Sequence, residues 1–184
     1  SDNITVGNDL SLIHTSSDNE VKEVLETFAK DLEQKGFEIN HISKGTAEDK
    51  QLISIDFSID KDEYNRYGEE GYSLTVNDHI GIHASTSTGL FWGTRTLLQL
   101  LSKGPDSRIP ELTIFDYPDS DYRGLMIDVA REFHSLEFHL ETIKKISSYK
   151  LNRYMIHFTD NESFTLPSER YPGLTTKERN YTKE

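Results

Sequence analysis

Arg131 stands three residues after Asp128, where the apolar run Gly124-Leu125-Met126-Ile127-Asp128-Val129 ends. His157, Thr159, Asp160, Asn161 and Glu162 cluster in the same way at the end of a second apolar run, Leu151 to Phe158. Arg offers a rigid fork of donors and carboxylates accept, so such a group could hold the hydroxyls of a polar ligand. In parallel α/β architectures the carboxyl ends of strands are where ligands bind. The bland alternative is an Arg–Asp ion pair that only fixes two loops. Spacing alone leaves both open.

Other chemistries are poorly served. The histidines are His14, His41, His79, His83, His134, His139 and His157, and no zinc spacing occurs among them. His79 and His83 share a strand face but sit about 13 Å apart along it. His134 and His139 are five apart, which on a helix turns them to different faces. The expectation is no metal and no cofactor. There is no G-x-S-x-G elbow, and Gly89-Leu90-Phe91-Trp92-Gly93 is no phosphate loop because no strand leads into it. Phe91 and Trp92 read as packing rather than as a sugar platform. The one Asp-Glu dipeptide, Asp62-Glu63, reads as surface. Absence of Cys removes disulfide and thiol chemistry.

Elements must position the polar residues, and the periodicities are clear enough to name them. Val21, Val24, Leu25, Phe28, Ala29 and Leu32 recur at helical spacing after the capping types Ser16, Ser17 and Asp18, and Gly36 stops the run as a C′ residue. Leu10 to Ile13, Phe37 to Ile42 and Ile53 to Ile59 read as strands. Tyr72–Val76 and Ile80–Ala84 read as a hairpin around Asn77-Asp78. Ser87 to Leu101 is again helical. The first hundred residues therefore predict β-α-β-β-β-β-α, a small α/β (α+β) sandwich. Gly104-Pro105, Pro110, Pro118 and three Asp residues break both periodicities, which puts a boundary near Pro118: one domain over 1–117, another over 118–184. Beyond it, Gly124–Val129 shows no alternation, the sign of a strand buried on both faces. Leu136 to Tyr149 is a helix with Leu140, Ile143, Ile146 and Tyr149 at core spacing. With the strand that follows, it makes a β-α-β unit with parallel strands.

The 184 residues carry a formal net charge of -12, which disfavours nucleic acid and anionic membrane surfaces as partners. No apolar run approaches the roughly 20 residues of a membrane span. Ser1-Asp2-Asn3 lacks the basic and apolar parts of a signal peptide, which leaves localisation open.

Several of these segments resemble one family. Tyr122-Arg123-Gly124-Leu125-Met126-Ile127-Asp128-Val129-Ala130-Arg131 is similar to the first barrel strand of glycoside hydrolase family 20 β-N-acetylhexosaminidases. Tyr149-Lys150-Leu151-Asn152 with His157-Phe158-Thr159-Asp160 is similar to their second. Glu70 to Val76 and Gly89 to Leu101 look like the family's small N-terminal domain, and Tyr181-Thr182-Lys183-Glu184 looks like the segment before the next helix. The resemblance implies a small α/β domain followed by the beginning of a (β/α)8 TIM barrel, truncated here. It implies retaining exo-cleavage of terminal N-acetylglucosamine or N-acetylgalactosamine, the substrate's acetamide serving as nucleophile. The Asp-Glu pair that performs it is absent from this chain, so the resemblance predicts an inactive fragment. Arg131 matches the arginine that binds the terminal sugar's hydroxyls. Asp160 matches the acid that positions a later histidine, partner of the general acid, while Asp128 and His157 support the strand ends. Asn161, Glu162, Ser163 and Phe164 depart from the commoner Asp-Gln-Gly-Trp pattern, which puts the epimer preference in doubt. Family members commonly work outside the cytosol, so a secreted or cell-surface setting is favoured.

Two rival readings remain: a non-catalytic carbohydrate-binding or interaction module, and an N-terminal domain that binds carbohydrate by itself. The second lacks an aromatic stripe in the sequence. A severed barrel would also present an open edge at Leu151–Phe158, with self-association or disorder beyond Phe158 as the expected result.

Overall fold

The first long helix, α1 (Asn19–Gln34), forms where the periodicity predicts and buries Val21, Leu25, Phe28, Ala29 and Leu32. Asp18 caps it by accepting from the Glu20 N–H at 3.0 Å. Gly36 closes it at φ 93°, with Gly36 N–H donating to Glu33 O (2.9 Å) and Phe37 N–H to Leu32 O (3.1 Å). This is the paired C-terminal motif in which only a left-handed residue fits.

The computed structural model describes residues 3–45 and 53–182. Ser1, Asp2, Lys183 and Glu184, the ends of two segments discussed above, lie outside the described residues. The chain divides into two compact units, Ser1–Asp119 and Ser120–Glu184.

The first unit contains β1 (Asn3–Val6), β2 (Asp9–His14), α1, β3 (Glu38–Lys44), β4 (Ile53–Ile59), α2 (Lys61–Tyr64), β5 (Tyr72–Val76), β6 (Ile80–Ala84), α3 (Ser87–Leu100), β7 (Ser107–Pro110) and β8 (Leu112–Asp116). Six strands form one sheet in the order β3-β2-β4-β6-β5-β8, while β1 pairs with β7. The neighbours from β3 to β6 are parallel, and β5 runs antiparallel to β6 and β8. α1 and α3 contact each other and pack on the sheet. Period-2 alternation sends Ile55, Phe57, Tyr72, Leu74, Ile80 and Ile82 into the core beneath them.

Two glycines on α3 explain its close seat. A Cβ on Gly89 would lie 2.4 Å from Gly71 O, and one on Gly93 would lie 2.4 Å from Ile82 Cγ2. The stretch Gly89–Gly93 is thus a packing device, and Trp92 is buried in the core as expected. Arg95, 6% exposed, reaches from α3 to Asp31 on α1 at 2.7 Å.

Four elements lie outside the expected series: β1, β7 and β8, the last two in the stretch that prolines and aspartates were expected to keep irregular, and α2, which keeps Asp62 and Glu63 on the surface as expected. Short strands with weak patterns are decided by partners: β7 by β1, and β8 by β5. Pro110 is tolerated as the last residue of its strand. A further departure concerns aromatic residues. Tyr64 lies 6.1 Å from His83 and 6.4 Å from Tyr67 between ring centroids, and Tyr67 lies 5.7 Å from Phe115 and 5.9 Å from Tyr117, so the five rings form a row that forks at Tyr67. The sequence scatters them over separate segments, so no stripe was visible there.

The second unit contains β9 (Gly124–Asp128), α4 (Leu136–Ser148) and β10 (Arg153–His157), with β9 and β10 parallel as the spacing predicts. Burial corrects two expectations. β9 is not buried on both faces: Met126 is 50% exposed, and its register partner Met155 is 52% exposed. On α4 the expected core positions Leu140, Ile143 and Tyr149 are exposed, and the buried residue is His139. A two-stranded β-α-β unit has one helix for two sheet faces. Among the described residues nothing covers the other.

His139 is held by two phenols. Tyr181 O–H donates to His134 O (2.7 Å), so His139 Nε2–H donates to the Tyr181 oxygen (2.8 Å). Nδ1 is then left to accept from Tyr154 O–H. This fixes a neutral ring, and burial first, then the neighbouring His134, pushes the His139 imidazole below its ordinary value.

Candidate functional site

Asp128 and His157 end their parallel strands and are register partners. Asp128 Oδ1 accepts from the N–H groups of Ala130 (3.1 Å) and Arg131 (3.2 Å), turning the chain directly after β9. The turn sends the Arg131 side chain across to Asp160. Its Nε (3.2 Å) and Nη2 (3.1 Å) both donate to one oxygen, Oδ2, and Nε lies 3.5 Å from Asp128 Oδ2. His157 Nε2 is 3.9 Å from the same Asp160 oxygen, beyond hydrogen-bond reach. All four residues singled out in the sequence therefore meet.

The loop bearing Asp160 is fixed from within. Asp160 N–H donates to Ser163 O (3.0 Å), and Glu162 N–H donates to Asp160 Oδ1 (3.3 Å). Ser163, 6% exposed, donates through its hydroxyl to Ala130 O, tying this loop to the one that carries Arg131. Thr165, fully buried, donates to Phe158 O at 2.7 Å. Sequence reasoning missed both roles. The available signal was small hydroxyl residues flanking Phe164, and it is too common to act on.

The charges reinforce the geometry. Burial works to raise the Asp160 carboxyl. Hydrogen bonds from Arg131 and the Glu162 amide, with the charge of Arg131, outweigh it and hold the group below the ordinary carboxylate value. Arg131 is held more firmly protonated, chiefly by its hydrogen bond to Asp160. Its side chain is 66% exposed, and Nη1 has no acceptor among the described residues. Oriented donors thus face solvent beside three carboxylates, Asp128, Asp160 and Glu162.

Asp128, His157 and Asp160 bring potential metal ligands within 4.8 Å of one another, a grouping that spacing rules cannot see because two segments supply it. A cation there would have to displace the guanidinium from Asp160 Oδ2. The arginine already supplies the positive charge.

The other motif residues lie at the opposite, amino ends of the strands. Arg123 Nε donates to Lys150 O (2.7 Å), Asn152 Nδ2 to Asp121 O (2.9 Å), and Arg123 N–H to Asn152 Oδ1 (3.1 Å). They bind the entries of β9 and β10 together and take no part in the mouth.

Residues 1–117 match the family model for glycosyl hydrolase family 20, domain 2, and residues 120–184 match the model for that family's catalytic domain. The chain belongs to glycosyl hydrolase family 20. Within the family it is 38% identical over 113 residues to beta-hexosaminidase B of Pseudoalteromonas piscicida, covering 61% of this chain and 14% of that enzyme. It is 36% identical over 105 residues to N,N'-diacetylchitobiase of Vibrio harveyi, covering 56% of this chain and 12% of that one. A solved family 20 enzyme, a mutant Streptomyces plicatus beta-hexosaminidase in complex with its product GlcNAc, matches with TM-score 0.77 and 25% identity. That match covers 95% of this chain and 35% of the enzyme. The chain thus spans a minor part of each relative, and its one Asp-Glu dipeptide is exposed on α2.

Proposed function

We propose that this chain is the front of a retaining exo-β-N-acetylhexosaminidase: a small α/β domain over 1–117, then the opening strands of a (β/α)8 TIM barrel over 118–184. The observation that carries the reading is Arg131, held at the carboxyl ends of two parallel strands with Nη1 open to solvent. Its substrate is the non-reducing end of a glycan bearing N-acetylglucosamine or N-acetylgalactosamine.

Each residue has a defined task in this reading. Arg131 donates to hydroxyls of the terminal sugar, its plane set by the two bonds to Asp160 Oδ2. Asp160, ionised at neutral pH, orients a histidine supplied by a later segment of the barrel. Asp128 shapes the turn that delivers Arg131, and His157 lines the mouth beside it. The acid pair that protonates the leaving group and orients the acetamide belongs to a later strand, so these residues alone do not hydrolyse the substrate.

The test uses the long enzyme that contains this segment. Arg131→Ala should lower kcat/KM for a chromogenic N-acetylglucosaminide by about 10²-fold, as loss of a charged hydrogen-bond donor predicts. Unchanged kcat/KM would sink the assignment. The 184-residue chain itself should show no turnover above a blank. It should also self-associate through its open β10 edge and exposed methionines, so monomeric light scattering at high concentration would contradict that expectation.

A further inference from the structure

The face of the six-stranded sheet turned away from α1 and α3 carries the aromatic row, and its end stands in solvent. Phe115 is 54% exposed and Tyr117 56% exposed; among the described residues of the first unit, Ile42 is the one other large apolar side chain exposed. Tyr67 lies near both, with ring planes 25° and 30° from parallel. The base of the row is fixed, because Tyr64 is buried and stacks on His83 at 17°. Tyr67 is equally constrained: a Cβ on Gly71 would lie 2.3 Å from Tyr67 Cβ. The Arg66 guanidinium sits 4.7 Å over the Tyr67 ring at the rim.

Chemistry selects the occupant. The face of an aromatic ring is electronegative and attracts weakly positive groups. One face of a pyranose presents C–H bonds of that kind in a plane, while its hydroxyls point outward to partners such as Arg66 and the tyrosine hydroxyls. An anionic polymer is disfavoured by the net charge of -12, and a protein partner would need an apolar surface larger than two exposed rings. A neutral sugar meets neither obstacle.

We propose that Phe115 and Tyr117, backed by Tyr67, form a second glycan-binding surface, taking the flat face of a neutral pyranose independently of Arg131. The choice of an N-acetylglucosamine oligomer as probe rests on the function proposed above; the surface itself does not. Titration calorimetry of the 184-residue chain with chitotetraose, and with cellotetraose as a second neutral probe, tests it. Binding of at least one probe is expected, weakened about tenfold or more in the double variant Phe115→Ala/Tyr117→Ala. Phe115→Leu/Tyr117→Leu keeps apolar bulk without ring faces and should weaken binding similarly, whereas Phe115→Trp/Tyr117→Trp should retain it. Arg131→Ala removes only the mouth's share of chitotetraose binding, and the binding that remains should still fall about tenfold or more when the leucine pair is added. Melting curves confirm folding, and the leucine pair decides the matter if the alanine pair unfolds. Absence of binding to both probes, or undiminished binding by the leucine pair, overturns the proposal. Binding lost only in Arg131→Ala overturns it too, while leaving the first site standing.

Discussion

The two units treat the same kinds of residue in opposite ways. In the first, Phe28, Leu74 and Ile82 are sealed at 0% exposure between one sheet and two helices. In the second, Met126, Leu140 and Met155 are each at least half exposed, although their strands and helix form just as regularly. Backbone hydrogen bonds form the helices and pair the strands in both units. Burial of apolar surface needs a layer wide enough to cover it, and two helices pack on the six-stranded sheet of the first unit whereas a single helix accompanies the two strands of the second. The difference teaches that secondary structure and core are separable: a β-α-β unit can be complete as backbone and incomplete as a hydrophobic object.

Truncating the same kind of side chain in each unit would break or sharpen this contrast. Phe28→Ala should cost the first unit about 3–5 kcal/mol by removing a buried ring and leaving a cavity. Met126→Ala should cost under about 1 kcal/mol, since half its surface is already wet. Urea unfolding resolved per unit by NMR checks both, and equal costs would erase the distinction.

A smaller effect is expected where α1 meets α3. Asp31→Ala leaves buried Arg95 without its 2.7 Å partner and should cost about 1–3 kcal/mol, moderated because Asp31 is 26% exposed. Asp31→Asn, which keeps an acceptor, should recover part of the loss. If both variants melt like the parent, the pair does not link the helices.

The smallest effect belongs to the second unit, whose most buried side chain on α4 is a histidine. His139 has a folded pKa below the ordinary 6.5, so the unfolded chain binds the proton more readily. The associated stability is fully present above pH 6.5 and declines as pH falls below it, because a protonated ring cannot accept from Tyr154. Signals from the second unit should therefore melt at lower temperature at pH 5 than at pH 7.5, by a few degrees. His139→Gln should flatten that dependence. A first unit that loses as much over the same range would assign the effect elsewhere.

Much of this was legible in the sequence, and the limits have physical causes. α1, α3, α4 and the hairpin were visible because their signals are local: capping residues, helical spacing and a turn. The four residues of the mouth were visible because strand ends are also local features. Their bonding was not, since both Arg131–Asp160 bonds span 29 positions. The Ser163 tie to Ala130, the strands β7 and β8, and the aromatic row are non-local in the same sense. Each depends on which segments come to lie side by side.

By itself, then, the sequence determined which segments become helix or strand, where the polar residues sit along them, and the family to which both parts belong. Only the tertiary structure decided that Arg131 spends two donors on one carboxylate oxygen, that α4 buries a histidine rather than its apolar stripe, and that five scattered rings form one row. The reason is the range of the forces involved. Propensity and periodicity act over a few neighbouring residues, whereas burial and hydrogen-bond satisfaction are settled by whatever the rest of the chain brings into contact.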